Sequence, residues 1–204
     1  MNPSEKAHIL VEALPYIRKW WGKTVVIKVG GEILNDEATL DAFVTDVVMM
    51  RFVGMSPLVV HGGGPQISET MRRLGKEPVF KGGYRVTDAE TIDIVKMVLL
   101  GSLNKKIVTA MSSHGGKAVG VSGEDGELLM ASRSLGPHGE DLGFVGEVDE
   151  VNPKIIETLI ADEFIPVVAP VAAGADGTYN VNADLAAGAL AGALGAQKIV
   201  FLTN

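Results

Sequence analysis

The sequence has 204 residues, of which 25 are glycine and none is cysteine, and its formal charge at pH 7 is −7. The lack of cysteine excludes disulfide scaffolds, thiolate zinc sites and cysteine nucleophiles. The negative charge disfavours nucleic-acid partners, and no apolar run approaches the roughly 18 residues that span a membrane. We therefore expect neither nucleic acid nor membrane as a partner, and a cytoplasmic location. No spacing matches a zinc or EF-hand site, so no metal ligands are assigned.

The first part of the chain alternates between predicted helices and strands. Apolar side chains recur at helical spacing over residues 4–20, and Pro15 inside this stretch predicts a kinked helix. Thr24–Val29 and Pro57–His61 are apolar runs typical of buried strands, with a helix ending near Phe52 between them.

The second part continues this alternation. Thr87-Asp-Ala-Glu90 matches a capping box, which predicts a helix that starts there and continues to about Ile107. Asn182 or Asp184 is expected to start an alanine-rich helix. Further strands are predicted over 117–122, 164–170 and 198–203, with short antiparallel hairpin strands over 128–131 and 144–148.

This order of elements indicates an α/β protein. We expect a three-layer αβα sandwich with a mainly parallel central sheet, plus a β-hairpin insertion. The N-terminal helix, residues 1–22, is expected to stand apart from one domain formed by residues 23–204.

Lys28 and the two glycines after it form the first candidate site. In an open parallel sheet, ligands bind at the carboxyl ends of the strands, and Lys28 lies near such an end. Gly30 and Gly31 allow their backbone N–H groups to approach an anion. The alternative is a lysine that reaches solvent from the strand end, with glycines that serve only the turn.

The triple glycine of His61-Gly-Gly-Gly-Pro65 is the second candidate. A strand, three glycines and a helix-opening proline place N–H groups at a helix N-terminus, where anions bind. The motif is neither a dinucleotide fingerprint nor a P-loop, and an esterase oxyanion loop would require a G-x-S-x-G motif that the sequence lacks. A tight turn without a ligand is the alternative, and His61 itself is predicted to be structural.

Two further motifs carry polar side chains. Arg85, in the glycine-rich segment Gly82–Asp88, suits bidentate recognition of a carboxylate, with a solvated surface arginine as the alternative. Asn180, Asn182 and Asp184 alternate along a segment predicted to be extended, so their side chains point to one side. Redundant helix caps are the alternative for these three. Sites for phosphate and carboxylate without a covalent nucleophile suit phosphoryl transfer.

Taken in order, these motifs resemble the amino-acid kinase superfamily, and its acetylglutamate kinase branch most closely. The matching motifs span nearly the whole chain: Lys28-Val-Gly-Gly31, Val60-His-Gly-Gly-Gly-Pro-Gln66, Lys81-Gly-Gly-Tyr-Arg-Val-Thr-Asp88, Ala118-Val-Gly-Val-Ser-Gly123, Asn180-Val-Asn-Ala-Asp184 and Phe201-Leu-Thr-Asn204. The resemblance implies an enzyme of arginine biosynthesis. Its reaction transfers the γ-phosphoryl group of ATP, which binds with Mg²⁺, to the side-chain carboxylate of N-acetyl-L-glutamate and yields N-acetyl-L-glutamyl 5-phosphate.

The resemblance also implies a role for each motif residue. Lys28 would stabilise the transferring phosphoryl group, and Asp184 would position Lys28 rather than act as a base. Backbone N–H groups would bind phosphoryl oxygens at four glycines: Gly30, Gly31, Gly62 and Gly63. Five residues would bind the amino-acid substrate: Gly63, Gly64, Arg85, Asn180 and Asn182.

A kinked helix before the first strand resembles the members of this family that L-arginine inhibits, in which that helix links dimers into a hexamer. We therefore expect residues 1–22 to be an oligomerisation element of a homo-oligomer, either a dimer or a hexamer. Docking of this helix onto the core is the alternative. L-arginine is the feedback inhibitor that the resemblance implies.

The sequence departs from the family pattern at its end. The family continues from Leu-Thr-Asp into a nucleotide-binding segment, whereas here position 204 is Asn and nothing follows. We expect a substrate domain without its nucleotide-binding part, inactive alone, with an exposed apolar sheet edge. It would be a truncated chain, a chain given in part or a natural half-protein. Two other functions stay open: a kinase of a related acidic amino acid, such as carrier-linked aminoadipate or glutamate, and a non-catalytic amino-acid-binding regulatory module.

Overall fold

The structure is a computed structural model that describes residues 2–203, so the prediction about Asn204 lies outside the described residues. The α-helices are α1 (Pro3–Trp20), α2 (Glu37–Phe52), α3 (Gly64–Arg73), α4 (Ala89–Lys96), α5 (Asn104–Ser113), α6 (Lys154–Ala161) and α7 (Ala183–Ala193). The strands are β1 (Thr24–Val29), β2 (Ser56–His61), β3 (Phe80–Lys81), β4 (Tyr84–Arg85), β5 (Ala118–Ser122), β6 (Leu129–Leu135), β7 (Asp141–Val151), β8 (Ile165–Ala169), β9 (Val171–Gly174), β10 (Gly177–Val181) and β11 (Lys198–Leu202). A π-helical segment, Met97–Leu103, joins α4 to α5.

Five parallel strands form the central sheet in the order β11-β1-β2-β8-β5. Every residue of β2 and β8 is buried, because helices cover both faces of a parallel sheet. One core cluster packs α2, α3, α4 and α5 on one face, and a second packs α6, α7 and the smaller sheet on the other. The predicted α/β sandwich is therefore confirmed. The edge strand β11 leaves Phe201 46% exposed.

The second sheet is small and closed, with the order β10-β7-β6-β9. The predicted antiparallel hairpin is confirmed in β6 and β7, although both strands are longer than expected. Strands β9 and β10 are not predicted by the sequence analysis. The closed sheet packs around Tyr179, which is 1% exposed. Gly146 and Gly174 make room for the Tyr179 side chain, since a Cβ added to Gly146 would lie 2.6 Å from it and a Cβ added to Gly174 would lie 2.5 Å from it.

None of the described residues of the N-terminal helix α1 is buried. Asn2 and Glu5 form a reciprocal capping box at its start, with N–H to oxygen distances of 2.9 and 2.8 Å, and Pro15 lies inside the helix. Large apolar side chains are exposed along it and just after it: Ile9, Leu10, Val11, Leu14, Tyr16 and Trp21. Within the described range, 2–203, no helix is both long enough and apolar enough to cross a membrane.

The predicted capping box at Thr87 is wrong by one residue. Thr87 is fully buried, and its hydroxyl donates to the Arg85 carbonyl and accepts from the Asn180 amide instead of from an N–H of the helix. Asp88 caps α4 instead, because its carboxylate accepts the Thr91 N–H at 2.8 Å. Glu90 pairs with Lys76 at 2.7 Å rather than with the backbone.

Replacement of Asp88 by alanine removes this cap, so we expect the free energy of unfolding to fall by about 1 kcal/mol. Hydrogen bonds from Lys76 and Thr91 lower the pKa of Asp88 from 3.8 to about 2. The contribution of the ionised carboxylate is therefore present above pH 4 and is lost as the pH falls towards 2. Urea denaturation at pH 7 and pH 3 measures both effects. Glu90→Ala is the matched control, and a loss as large as that of Asp88→Ala would restore the capping-box interpretation.

Candidate active site

A cavity of about 260 Å³ lies at the carboxyl ends of β1 and β2. All ten residues that the sequence predicts for the site border it: Lys28, Gly30, Gly31, Gly62, Gly63, Gly64, Arg85, Asn180, Asn182 and Asp184. They come from four separate segments of the chain. The parallel sheet brings together the loops after β1 and β2, because strands of one direction end at one edge, while the hairpin of β3 and β4 supplies Arg85 and the closed sheet supplies Asn180.

Lys28 and Asp184 form an ion pair in this cavity, with 2.9 Å between Nζ and Oδ1. The lysine side chain is 12% exposed, so it is not a surface lysine that extends into solvent. Asp184 lies in the first turn of α7, where the helix dipole favours a carboxylate. The pair therefore holds an ammonium group in a fixed place at the end of β1.

The two glycine loops touch each other. A Cβ added to Gly31 would lie 3.1 Å from the Gly63 Cα, and a Cβ on Gly63 would lie 2.4 Å from Leu103 and 2.6 Å from Leu99. Both leucines belong to the π-helical segment. Gly31 and Gly63 therefore have no room for a side chain, and at this contact the backbones themselves form the wall of the cavity.

The amide groups of these loops fall into two classes. The Gly30 N–H donates to the Leu202 carbonyl at 3.1 Å and the Gly62 N–H to the Val29 carbonyl at 2.9 Å, so both extend the sheet ladder. The N–H groups of Gly31, Gly63 and Gly64 have no acceptor among residues 2–203. Free donors for an anion are thus present at Gly31, Gly63 and Gly64. The N–H groups of Gly30 and Gly62 are already bonded, so these two glycines only help to form the cavity wall.

Arg85 is buried and lacks a counter-ion. Its side chain is held by the Gly64 carbonyl and the Ser68 hydroxyl, each 2.8 Å from Nη2, and stands 4.7 Å from the centre of the Phe80 ring. The residue is 7% exposed, and no carboxylate within the described part of the chain lies within 4.0 Å of it. Burial, with a smaller contribution from Arg72, lowers the pKa of Arg85. An unpaired cation is costly to bury, so this guanidinium is suited to an anionic ligand.

Asn180, Asn182 and Asp184 do not lie on one extended segment, and that prediction is wrong. Strand β10 ends at Val181, and α7 begins directly after it. Asn182 is the helix cap, with its Oδ1 accepting the Asp184 N–H at 2.8 Å, while Asn180 donates to the Thr87 hydroxyl at 3.4 Å. The turn from strand to helix still leaves all three beside the cavity.

His61 is fully buried beneath the triple glycine and does not border the cavity. Desolvation lowers its pKa from 6.5 to about 4, so the imidazole is neutral at pH 7. No group of three His, Asp or Glu side chains suited to a metal ion occurs within residues 2–203.

The hairpin of β3 and β4 carries Arg85 and brings Phe80 and Tyr84 to the cavity, and it is not among the elements predicted from the sequence. A signal for it was present: Gly82 and Gly83 separate the two strands, and both have positive φ, at 55° and 85°. Two glycines of this kind are typical of a two-residue hairpin turn. The missed apolar lining includes Leu99 and Val145.

Comparisons with known proteins agree on one family. Residues 23–204 match the amino acid kinase family. The chain is 53% identical over 212 residues to the acetylglutamate kinase of Pelotomaculum thermopropionicum, and the match covers all of this chain and 72% of that protein. The acetylglutamate kinase of Chromobacterium violaceum is 51% identical with the same coverage. That of Caldanaerobacter subterraneus subsp. tengcongensis is 55% identical, over 98% of this chain and 66% of that protein.

Solved structures show the same fold. The N-acetylglutamate synthase of Neisseria gonorrhoeae, in complex with coenzyme A and N-acetyl-glutamate, superposes with a TM-score of 0.83 at 24% identity, over 95% of this chain and 44% of that chain. A Streptococcus mutans protein superposes with a TM-score of 0.80 at 27% identity, over 89% of this chain and 72% of that chain. Since the family match covers all but the N-terminal helix and the relatives are about half identical, the chain belongs to the amino acid kinase family.

Proposed function

We propose that this protein phosphorylates the side-chain carboxylate of N-acetyl-L-glutamate with ATP, in the cytoplasm, as a step of arginine biosynthesis. The observation that carries the proposal is Arg85, a buried cation without a counter-ion beside a cavity that also contains Lys28 and free backbone N–H groups. Acetylglutamate kinases that are about half identical to this chain support the choice of substrate.

In the proposed complex, Arg85 binds the α-carboxylate of the substrate. Its Nε and one Nη1 hydrogen form no bond in the structure and are free to donate to that carboxylate. The amide nitrogen of Asn180, with Asn182 nearby, contacts the acetylamino part, and the apolar Leu99 and Val145 receive its methyl group. A cavity of about 260 Å³ is of a size for one small acid.

The proposed reaction needs positive charge and alignment rather than a base. A bond forms between the substrate carboxylate oxygen and the γ-phosphorus, and the bond from that phosphorus to the ADP oxygen breaks. The carboxylate is already ionised at neutral pH, so no proton is removed. Lys28 and the N–H groups of Gly31 and Gly63 offset the charge that develops on the phosphoryl oxygens. Asp184 fixes Lys28, and Mg²⁺ would accompany the nucleotide phosphates.

Calorimetric titration of the folded chain with N-acetyl-L-glutamate and with Mg-ATP tests the proposal. We expect N-acetyl-L-glutamate to bind. N-acetyl-L-glutamine, which lacks the acceptor carboxylate, and L-glutamate, whose α-ammonium replaces the acetylamino group, are controls expected to bind more weakly. Turnover is measured on the full-length protein, because this chain covers 72% of the acetylglutamate kinase that it matches, and hydroxylamine traps the acyl phosphate. Release of ADP without a hydroxamate, or equal binding of the three acids, would contradict the assignment.

Arg85→Lys keeps the charge but removes the planar pair of donors. We expect N-acetyl-L-glutamate to bind about ten- to a hundredfold more weakly, since a charged hydrogen bond contributes about 1.5–3 kcal/mol. The dissociation constant from calorimetry measures this. Arg72→Lys on α3 is the matched control, because Arg72 lies outside the cavity, and it should leave the affinity unchanged. Unchanged affinity in Arg85→Lys would remove Arg85 from the substrate site.

Lys28→Ala removes the cation at the end of β1. A unit charge about 4 Å from a developing charge contributes up to about 4 kcal/mol at an effective dielectric constant near 20, or about three decades of rate. We expect kcat to fall by two to three decades while the affinity for N-acetyl-L-glutamate changes little. Lys23→Ala, just before the other end of the same strand, is the matched control. A near-normal kcat in Lys28→Ala would exclude Lys28 from the mechanism.

We also propose that α1 packs against a second copy of the chain in a dimer or hexamer. Its exposed apolar residues support this, since Leu10 and Val11 are 68% and 66% exposed. Removal of residues 1–21 should lower the molar mass measured by light scattering, and the double change Leu10→Glu with Leu14→Glu should do the same without shortening the chain. An unchanged mass in both would reject this role. Inhibition of turnover by L-arginine tests the regulation that the resemblance implies.

A further inference from the structure

A buried chain of hydrogen bonds lies behind the triple glycine. Asn104, the first residue of α5, is 2% exposed, and its Nδ2 lies 2.9 Å from the Val167 carbonyl and 3.3 Å from His61 Nε2. On the other side of the ring, His61 Nδ1 lies 3.1 Å from the Gly62 carbonyl. Asn104 and His61 do not border the substrate cavity, and the mechanism proposed above does not use them.

The donors and acceptors fix the tautomer of His61. The Val167 carbonyl can only accept, so the nitrogen of the Asn104 amide must face it. The same nitrogen has its second hydrogen directed at His61 Nε2, which must therefore be the unprotonated ring nitrogen. The proton lies on Nδ1, from which it is donated to the Gly62 carbonyl.

The position of Asn104 is energetically unfavourable in two ways. Its Oδ1 is buried and has no hydrogen-bond partner among the described residues. The same oxygen leaves no room for a side chain at Gly120, because a Cβ added there would lie 1.7 Å from Asn104 Oδ1. A glycine in the middle of β5 is unfavourable for a strand, and here it makes room for the Asn104 amide. Both unfavourable features follow from placing an amide nitrogen beside His61.

In a trans peptide, the carbonyl oxygen and the following N–H point in opposite directions. The bond from His61 to the Gly62 carbonyl thus directs the Gly63 N–H away from the imidazole. Gly63 is buried, borders the cavity, and its N–H has no acceptor within residues 2–203.

We propose that Asn104 and His61 are positioning residues, which hold the Gly62–Gly63 peptide so that the Gly63 N–H points at the transferring phosphoryl group. The identity of that ligand rests on the proposed function, whereas the tautomer and the peptide orientation do not. Loss of either side chain frees the peptide to rotate, and the developing negative charge then meets a carbonyl oxygen or no donor.

The first test is the tautomer, which needs no activity. In ¹⁵N spectra of protein labelled at histidine, we expect His61 at pH 7 to have a protonated Nδ1 and an unprotonated Nε2. The signal is assigned by its loss in His61→Gln. In Asn104→Ala the preference for this tautomer should weaken. A proton on Nε2 in the unsubstituted protein would overturn the proposal.

The second test separates positioning from stability. Asn104→Ala removes the amide and leaves a gap beside Gly120, and the added Gly120→Ala places a methyl group in that gap. We expect the double variant to recover thermal stability relative to Asn104→Ala, yet to keep a kcat about a hundredfold below normal, with the KM for N-acetyl-L-glutamate changed much less. A loss of this size follows removal of one backbone-type donor to a developing charge.

Ile107→Val is the matched control, because Ile107 is a fully buried residue on the same helix without a polar contact. It should lose some stability and keep its kcat. A normal kcat in the double variant would overturn the positioning role while leaving the proposed kinase activity intact. Absence of any phosphorylation in the unsubstituted full-length protein, with the Nδ1–H tautomer present, would count against the proposed function and support the hydrogen-bond chain.

Discussion

The close contact between the loops at Gly31 and Gly63 is the constraint on which the site depends. Three carbonyl groups of these loops are each bound by a side chain: Gly31 by Gln66 at 2.6 Å, Gly62 by His61 at 3.1 Å and Gly64 by Arg85 at 2.8 Å. Carbonyl oxygens repel an anion, so a phosphate site made of backbone must turn them away. With the oxygens held by protein donors, the N–H groups that remain free are those of Gly31, Gly63 and Gly64.

The two cationic side chains of the site, Arg85 and Lys28, are held in different ways. Arg85 is both a tether for the Gly64 carbonyl and a cation without a counter-ion, so the interaction that shapes the loop also prepares the site for a carboxylate. Lys28 differs, because Asp184 balances its charge and fixes its position. In an electrostatic mechanism, fixed charges act without reorganisation, so under the proposed function a paired lysine and an unpaired arginine suit different tasks: the first would serve the reaction and the second would serve binding.

The sequence was sufficient for the central sheet and for the glycines and polar residues around the cavity, because apolar runs and glycine motifs are local signals. It was insufficient where tertiary contacts decide. Thr87 fits a cap by spacing but is buried by its bridge to Gly143, which moves the cap to Asp88. Strands β9 and β10 contain small residues that form a sheet only by closing around Tyr179. The π-helical segment has ordinary helical spacing, and its place is set by the packing of Leu99 and Leu103 on Gly63.

The residues proposed for recognition and those proposed for the reaction come from different parts of this fold, and α7 connects them. The hairpin of β3 and β4 and the closed sheet supply Arg85 and Asn180, whereas the central sheet supplies Lys28 and the glycine loops. The N-terminus of α7 belongs to both, since its cap Asn182 lies just after the strand that carries Asn180, while Asp184, two residues later, pairs with Lys28. A displacement of β10 by a poorly fitting acid would therefore move the carboxylate that fixes the reacting lysine. In the proposed mechanism, the short distance along the chain between Asn180 and Asp184 would couple the fit of the substrate to the position of Lys28.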